Sequence, residues 1–223
     1  MSERVTFTSK NGDTVGAALG LPAGNGKAPA VVVVQEWWGL NPQIEGIVDR
    51  FAAEGFVALA PDLYRGVVAK DATQANQMMT DLDGARALAD LEGAAAYLRE
   101  HPRGNGKVGI TGFCMGGAYT LASACFIRGL ACAVPFYGIP PRADYAKVDV
   151  PILFHVAQHD GWVSPAKADE VVKAVRSHGG SIELELYDAD HAFMNERRPE
   201  VHNPAAAALA WERTVAFLRE HTS

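Results

Sequence analysis

The feature that most limits the fold of this chain is a series of short apolar runs that are rich in β-branched residues. The clearest run, Ala30–Gln35, reads AVVVVQ and is continuously apolar up to its last residue. Such a run is expected of a strand that is buried on both faces of a parallel sheet. Helical patterns separate the later runs, and this alternation predicts a mostly parallel sheet with helices on both faces. We therefore expect an α/β fold.

Eight strands and five helices are expected along the chain. The first two strands flank Asn11-Gly12-Asp13, a hairpin turn signal, and are predicted to form an antiparallel edge of the sheet. The predicted strands are Val5–Ser9, Thr14–Leu21, Ala30–Gln35, Phe56–Ala60, Lys107–Thr111, Cys132–Phe136, Ile152–Ala157 and Ile182–Tyr187. The predicted helices are Gln43–Ala53, Ala85–Arg99, Gly116–Ile127, Pro165–Ser177 and Ala205–Glu220.

The segment from Arg65 to Gly84 is the least regular part of the chain. It carries Met78 and Met79 among scattered polar residues, and it predicts either a small cap over a pocket or a surface helix. A length of 223 residues fits one α/β unit, so we expect residues 1–223 to form a single domain.

Composition and charge argue against several classes of function. Hydrophobic residues make up 48% and charged residues 21% of the chain, which is typical of a globular protein. The net charge of −6 argues against a nucleic-acid binder, which needs a basic face. No apolar run is long enough to span a membrane, and the polar first residues do not resemble a secretory signal. The three cysteines follow no disulfide or zinc pattern. We expect a cytoplasmic protein that binds neither nucleic acid nor membrane.

The strongest functional signal is the string KVGITGFCMGG, which runs from Lys107 to Gly117. A predicted strand leads through a G-x-nucleophile-x-G turn into a predicted helix, with Cys114 where serine is more common. Small neighbours let strand and helix pack closely, so the Cys114 side chain is expected to project from the carboxyl end of the sheet. The N–H of Met115 points to the same place and is a candidate oxyanion donor. The alternative is a structural cysteine in a tight turn.

Two later strands are followed by residues that are candidates for completing a catalytic triad. Asp160 and His191 each follow a predicted strand, and the carboxyl ends of parallel strands are where the catalytic groups of α/β sheets gather. The order nucleophile, acid, histidine is that of α/β-hydrolases. We expect His191 to accept the thiol proton and Asp160 to orient the imidazole. Cys114 would then attack an acyl carbon and form a thioester. Taken singly, an aspartate before glycine is usually a turn former and a loop histidine is usually solvated.

The third predicted strand ends in Gln35-Glu36-Trp37-Trp38-Gly39. The loop at this position supplies a second oxyanion N–H in such folds, and Trp37 is the candidate donor. Glu36 is unusual, because a carboxylate beside a nucleophile must either bind a proton or raise the pKa of the thiol. Trp38 is a candidate for an apolar pocket wall. The alternatives are a surface glutamate and tryptophans that belong only to the core.

Together these strings make the chain resemble the dienelactone hydrolases (carboxymethylenebutenolidases), a family of α/β-hydrolases. The matching strings are VVVVQEWWGLN, FVALAPDLYRG, GITGFCMGG, ILFHVAQHDGWVSP and YDADHAF, and they occur in family order. The resemblance implies an α/β-hydrolase fold, hydrolysis of carboxylic ester or lactone bonds, and no cofactor. It implies that Glu36 holds the resting thiol and then helps to activate it when substrate arrives. The triad it implies is Cys114, Asp160 and His191, with an oxyanion hole at Met115 and Trp37.

The sequence departs from the family where a substrate carboxylate would bind. Family members that take the dienelactone carboxylate use arginines near the cap and just after the catalytic histidine. Here Asp71–Thr80 contains no arginine, and the fourth residue after His191 is Asn195. Arg65 and Arg198 are the candidate substitutes. We therefore expect a small-molecule ester or lactone rather than dienelactone itself. The candidate substrate-binding residues are Trp38, Tyr137, Phe193 and Arg65.

Two other functions are kept as alternatives. A cysteine-elbow enzyme of the DJ-1 or glutamine-amidotransferase kind also places a reactive cysteine after a strand, but it lacks the Asp-Gly turn and the late histidine loop at this spacing. The other alternative is a hydrolase fold that only binds ligands. No metal site is expected, because His155 and His159 span a strand-to-loop junction and do not share a helix face. We expect a monomer.

Overall fold

The computed structural model describes all residues from Met1 to Ser223. One eight-stranded sheet with the order β1-β2-β4-β3-β5-β6-β7-β8 runs through the molecule. Strand β2 pairs antiparallel with β1 and β4, and all the other pairs are parallel. The strands are β1 Glu3–Thr8, β2 Thr14–Gly20, β3 Ala28–Val34, β4 Val57–Pro61, β5 Gly104–Phe113, β6 Cys132–Phe136, β7 Ile152–Ala157 and β8 Ile182–Tyr187. The predicted parallel sheet with an antiparallel edge is confirmed.

Six helices cover the two faces of the sheet. Helices α3, α4 and α5 contribute to the core on one face, and α1 and α6 contribute to the core on the other. The helices are α1 Pro42–Ala53, α2 Ala72–Asp81, α3 Gly84–Glu100, α4 Met115–Phe126, α5 Pro165–Ser177 and α6 Pro204–Thr222. None of them combines the length and the apolar character that crossing a bilayer requires.

The irregular segment contains helix α2, one of the two structures that the sequence allowed there. The side chain of Asp71 caps its start by accepting a hydrogen bond from the Gln74 N–H at 2.8 Å. Only Ala75 is buried in this helix, which explains the weak apolar pattern. Whether the segment acts as a cap stays a prediction. The five predicted helices are present, with ends that differ by at most two residues.

A buried hydrogen-bonded chain ties strands β7 and β8 to helix α6. His155 is fully buried; its Nδ1 lies 2.8 Å from the Tyr187 hydroxyl and its Nε2 lies 3.0 Å from the Thr214 hydroxyl. Thr214 donates its proton to the carbonyl of Ala210, so His155 Nε2 is the N–H that donates to Thr214. Burial and the nearby Arg213 charge lower the pKa of His155 to about 3. His155 is thus a neutral core residue, and no cluster of possible metal-ligating residues is found in the chain.

The buried His155 predicts a loss of stability in acid. Its pKa is about 3 when folded and 6.5 in the unfolded chain, so only the unfolded state takes up a proton between these values. Stability is therefore complete above pH 6.5 and falls as the pH drops toward 3, by on the order of a few kcal/mol. Urea unfolding of wild type and His155→Gln between pH 7.5 and 4 measures this. Between pH 7.5 and 4 the free energy of unfolding should fall more in the wild type than in the variant. If the difference between the two proteins does not change with pH, His155 does not have the lowered pKa.

Candidate active site

Cys114 occupies a strained turn between β5 and α4. Its backbone has φ 56° and ψ −116°, a conformation that residues with a side chain rarely adopt. The Cys114 N–H donates to the Phe136 carbonyl at 3.1 Å, and the Cys114 carbonyl accepts from the Ala118 N–H. Strain of this kind costs roughly 1–3 kcal/mol and is held by the surrounding packing. The turn leaves the thiol partly exposed at the carboxyl end of the sheet.

Two glycines make this turn possible. A Cβ atom on Gly112 would lie 2.4 Å from the Gly116 carbonyl oxygen, and one on Gly116 would lie 2.4 Å from the Val34 carbonyl oxygen. Both contacts are with backbone, which has no freedom to move aside. The G-x-C-x-G spacing therefore reflects the close approach of β3, β5 and the first turn of α4.

Asp160 and His191 form a buried hydrogen-bonded pair. The distance from His191 Nδ1 to Asp160 Oδ2 is 2.7 Å, and the Asp160 side chain is fully buried. The other carboxylate oxygen of Asp160 accepts the backbone N–H groups of Trp162 and Val163 at 2.7 and 2.9 Å. These bonds hold the carboxylate in place, so His191 presents its second ring nitrogen to the cavity in a defined orientation.

His191 also interacts with Cys114. Burial lowers the pKa of His191, but hydrogen bonds to Asp160 and Cys114, together with their negative charges, outweigh burial and raise the pKa to about 10. Because Nδ1 is bonded to Asp160, the nitrogen available to Cys114 is Nε2. The environment thus stabilises the imidazolium that forms when His191 takes up a proton beside the sulfur atom.

Glu36 is buried beside these groups and is held by Asn195. The Asn195 side-chain N–H donates to Glu36 Oε2 at 2.7 Å, and both side chains are almost completely buried. Burial raises the pKa of Glu36, while the Asn195 hydrogen bond and the charges of His191 and Arg198 oppose this effect. The sequence did not identify Asn195 as a site residue, because an asparagine in a loop is usually a turn former.

Two backbone N–H groups beside Cys114 have no hydrogen-bond acceptor within the chain. Met115 is the first residue of α4, where N–H groups have no acceptor within the helix. The N–H of Trp37, which follows Glu36, donates to no acceptor in the chain. Both residues line the cavity that also contains Cys114.

The site opens into a cavity of about 760 Å³ that is lined mainly by apolar residues. Trp38 and Tyr137 belong to its wall, as the sequence predicted for a pocket. Trp162 forms part of the mouth; its side chain is 63% exposed and its ring lies 6.1 Å from that of Trp37. The remaining wall comes from α2, α3, α4 and the loop that follows β6.

Comparison with known proteins decides the family. A family model described as the dienelactone hydrolase family matches residues 15–222 of the chain. The chain belongs to the dienelactone hydrolase family. It is 34% identical to a carboxymethylenebutenolidase of Pseudomonas sp. (strain P51), over 98% of this chain and 95% of that protein. It is 38% identical to a protein of Aquifex pyrophilus named usf, over 99% of both.

A solved structure agrees with this assignment. A crystal structure from Klebsiella pneumoniae, assigned as a dienelactone hydrolase, superposes with a TM-score of 0.90 at 26% identity and covers 98% of each chain. The predicted α/β-hydrolase fold and the family resemblance are confirmed. As a dienelactone hydrolase-like enzyme, the protein hydrolyses ester or lactone bonds.

Two of the expected substrate-binding residues do not reach the cavity of this dienelactone hydrolase-like enzyme. Arg65 makes two hydrogen bonds of 2.8 and 2.9 Å with Asp90, whose side chain is fully buried. An unpaired buried carboxylate is costly, so this arginine is committed to the fold. Phe193 is fully buried between the rings of Tyr137 and Tyr187 and is a core residue.

Two other arginines line the cavity instead. Arg198, which the sequence offered as a substitute, is in the wall and is also paired with Glu200 at 2.8 Å. Arg142 is exposed, lines the cavity and was not predicted. No sequence signal marks it, because its position depends on the path of the loop after β6.

Replacing Asp160 by asparagine tests the pair that orients His191. In Asp160→Asn the side chain no longer offers a carboxylate to His191 Nδ1–H, so kcat/KM for an aryl ester should fall roughly 10²–10⁴-fold. Steady-state kinetics and thermal unfolding measure activity and folding separately. The matched control is Asp188→Asn, whose exposed carboxylate pairs with the exposed His159 and whose loss should leave activity unchanged. Equal activities in the two variants would contradict the role of Asp160.

Proposed function

We propose that the enzyme hydrolyses esters or lactones through a thioester on Cys114. The observation that carries this proposal is the His191–Asp160 hydrogen bond of 2.7 Å on a buried carboxylate, beside a cysteine in a strained turn. A histidine oriented by a carboxylate activates a neighbouring nucleophile. The hydrolase activity of the family supplies the reaction class.

The acylation step follows from this arrangement. His191 takes the proton of the Cys114 thiol, and the thiolate attacks the carbonyl carbon of the substrate. The N–H groups of Met115 and Trp37 stabilise the oxyanion of the tetrahedral intermediate. When the intermediate collapses, the bond to the leaving oxygen breaks and His191 donates its proton to that oxygen. The products are a thioester on Cys114 and the leaving alcohol, or the opened ring of a lactone.

Deacylation uses the same groups with water as the nucleophile. His191 takes a proton from water, and the resulting hydroxide attacks the thioester carbonyl. The oxyanion again accepts hydrogen bonds from Met115 and Trp37, and the carboxylic acid leaves as the Cys114 sulfur regains its proton. Every proton in this cycle is carried by chain atoms or water, so no cofactor is required.

Glu36 is assigned a part in setting the state of the thiol. It lines the same cavity as Cys114, and its burial raises its pKa, which makes it a better proton acceptor than an exposed carboxylate. We propose that Glu36 keeps Cys114 protonated in the resting enzyme and helps to activate the thiol for proton transfer to His191 when substrate arrives. Asn195 holds Glu36 in position for this role.

Trp38 and Tyr137 are proposed to contact the small-molecule substrate, because both line the cavity beside Cys114. Hydrolysis is favoured over the DJ-1 and ligand-binding alternatives by the family match and by the carboxymethylenebutenolidase relative.

We further propose that residues 1–223 act as one unit, supported by the single sheet that spans the chain. A cytoplasmic monomer that does not bind nucleic acid remains our expectation; the free thiol at Cys114 suits a reducing compartment.

Loss of either Cys114 or His191 should abolish efficient hydrolysis. Cys114→Ala removes the nucleophile and His191→Ala removes the base, so kcat/KM for an aryl ester should fall by roughly 10²-fold or more in each. His159→Ala is the matched control, because this histidine is exposed and pairs with Asp188 outside the cavity. Turnover by Cys114→Ala at the wild-type rate would rule out the covalent mechanism.

The role of Glu36 predicts a shift in the pH profile of Asn195→Ala. The lost hydrogen bond stabilises the charged form of Glu36, so its removal raises the pKa of that carboxyl further. If the reaction needs ionised Glu36, the acid limb of kcat/KM moves to higher pH in Asn195→Ala. In Glu36→Gln this limb should disappear. An acid limb that stays in place in both variants would show that another group controls it.

A further inference from the structure

The cavity is longer than the chemistry at Cys114 requires. One face of helix α4 forms its wall along the whole helix: the contributing residues are Met115, Ala118, Tyr119, Ala122 and Phe126. They stand at positions i, i+3, i+4, i+7 and i+11, which puts them on a single stripe of the helix. At a rise of 1.5 Å per residue, the stripe extends about 16 Å from the first turn beside the nucleophile to the end of the helix. We call the space along this stripe the α4 groove.

Small side chains create the groove, and apolar ones enclose it. Ala118 and Ala122 stand in the middle of the stripe, where larger residues would fill the space. Other residues of the cavity wall are Leu88 of α3 and Met79 of α2. None of the cavity-lining residues contributed by α2, α3 and α4 is charged, so this part of the cavity offers an apolar chain no competing ionic group.

The far end of the α4 groove exposes an aromatic ring. Phe126 is 45% exposed, although it belongs to the cavity wall. The Lys147 ammonium lies 5.7 Å from the ring centre, which marks the outer limit of the apolar surface. Exposed apolar surface that is continuous with a catalytic cavity is surface that a bound ligand covers.

The position of His191 decides which part of an ester occupies the groove. His191 must reach the leaving oxygen to protonate it, so the alcohol part lies on the side of His191, Trp162 and Arg198. The acyl part then extends away from His191. Helix α4 begins beside Cys114 and runs away from it, so the α4 groove is the path open to the acyl chain.

We infer that the α4 groove binds the acyl chain and that the enzyme prefers esters of medium-length, linear, uncharged acyl groups. The inference rests on the proposed function, because it places the acyl carbon at Cys114. An extended chain advances about 1.2 Å per bond, so a groove of about 16 Å accommodates roughly a dozen bonds. This substrate class matches the lack of charge among the lining residues of α2, α3 and α4 and the ion pair that withdraws Arg65 to Asp90. The two arginines of the cavity belong to other segments: Arg198 is on the alcohol side, and Arg142 is in the loop after β6.

The test is the dependence of kcat/KM on acyl length, measured with 4-nitrophenyl acetate, butanoate, hexanoate and octanoate. A buried methylene is worth about fourfold in binding, so the wild type should prefer octanoate to acetate by at least about tenfold. Ala122→Phe places a ring across the middle of the groove and should reduce the octanoate-to-acetate ratio about tenfold or more. Ala118→Leu narrows the groove nearer the nucleophile, so it should reduce kcat/KM relative to acetate already for the shorter acyl chains of the series. This variant also tests the groove if Ala122→Phe does not fold.

The control variant is Ala208→Phe, which adds the same ring to an exposed position of α6 outside the cavity and should keep the wild-type ratio. A second series, the acetates of short and long alcohols, should show the same length dependence in wild type and Ala122→Phe. The inference is overturned if kcat/KM of the wild type does not depend on acyl length. It is also overturned if Ala122→Phe and Ala118→Leu have the wild-type octanoate-to-acetate ratio, or if they change the alcohol series instead. It is also overturned if an ester of equal length with a terminal carboxylate is preferred to octanoate.

These outcomes are separate from failure of the proposed function. If Cys114→Ala hydrolyses all four esters as fast as the wild type, the thioester mechanism is wrong whatever the length dependence. If Cys114→Ala is inactive and the wild-type ratio is flat, the mechanism stands and the assignment of the groove is wrong.

Discussion

The close packing of backbone around Cys114 is the constraint on which the site depends. The first turn of α4 lies against β3 and β5 so tightly that Gly112 and Gly116 have no room for a Cβ atom. This packing holds Cys114 at a positive φ, which turns its sulfur out of the sheet edge. A larger residue at either glycine would displace Cys114 through the backbone, without contact with Asp160 or His191.

The charged groups of the site surround a sulfur atom whose position is fixed by this backbone packing. Asp160 and Glu36 are both buried carboxylates, and each is compensated differently. Asp160 accepts two backbone N–H groups and His191, so its charge is fully hydrogen-bonded. Glu36 has the weaker support of Asn195 and has a raised pKa. In the proposed mechanism the two carboxylates therefore have different roles: Asp160 orients the base, and Glu36 sets the state of the thiol.

The sequence predicts the parts of this structure that follow from local pattern. The eight strands, the antiparallel edge and the G-x-C-x-G turn all have signals within a few residues, and Asp160 and His191 follow strands whose carboxyl ends meet at one edge. Arg65 could not be assigned in this way, because its partner Asp90 lies 25 residues away and is buried only in the folded chain. Asn195 and Arg142 were missed for the same reason, since loop paths decide what they contact. The α4 groove depends on three helices at once, and no single pattern shows it.

The most direct test of the account is to trap the acyl-enzyme. The enzyme is mixed with an aryl ester, quenched in acid within the first turnovers, and analysed by intact mass and by peptide mapping. The thioester mechanism predicts a mass increase of one acyl group on the peptide that contains Cys114, formed within one turnover and lost at the rate of deacylation. Full turnover with no adduct under conditions where deacylation is slow, or an acyl group on a different residue, would contradict it.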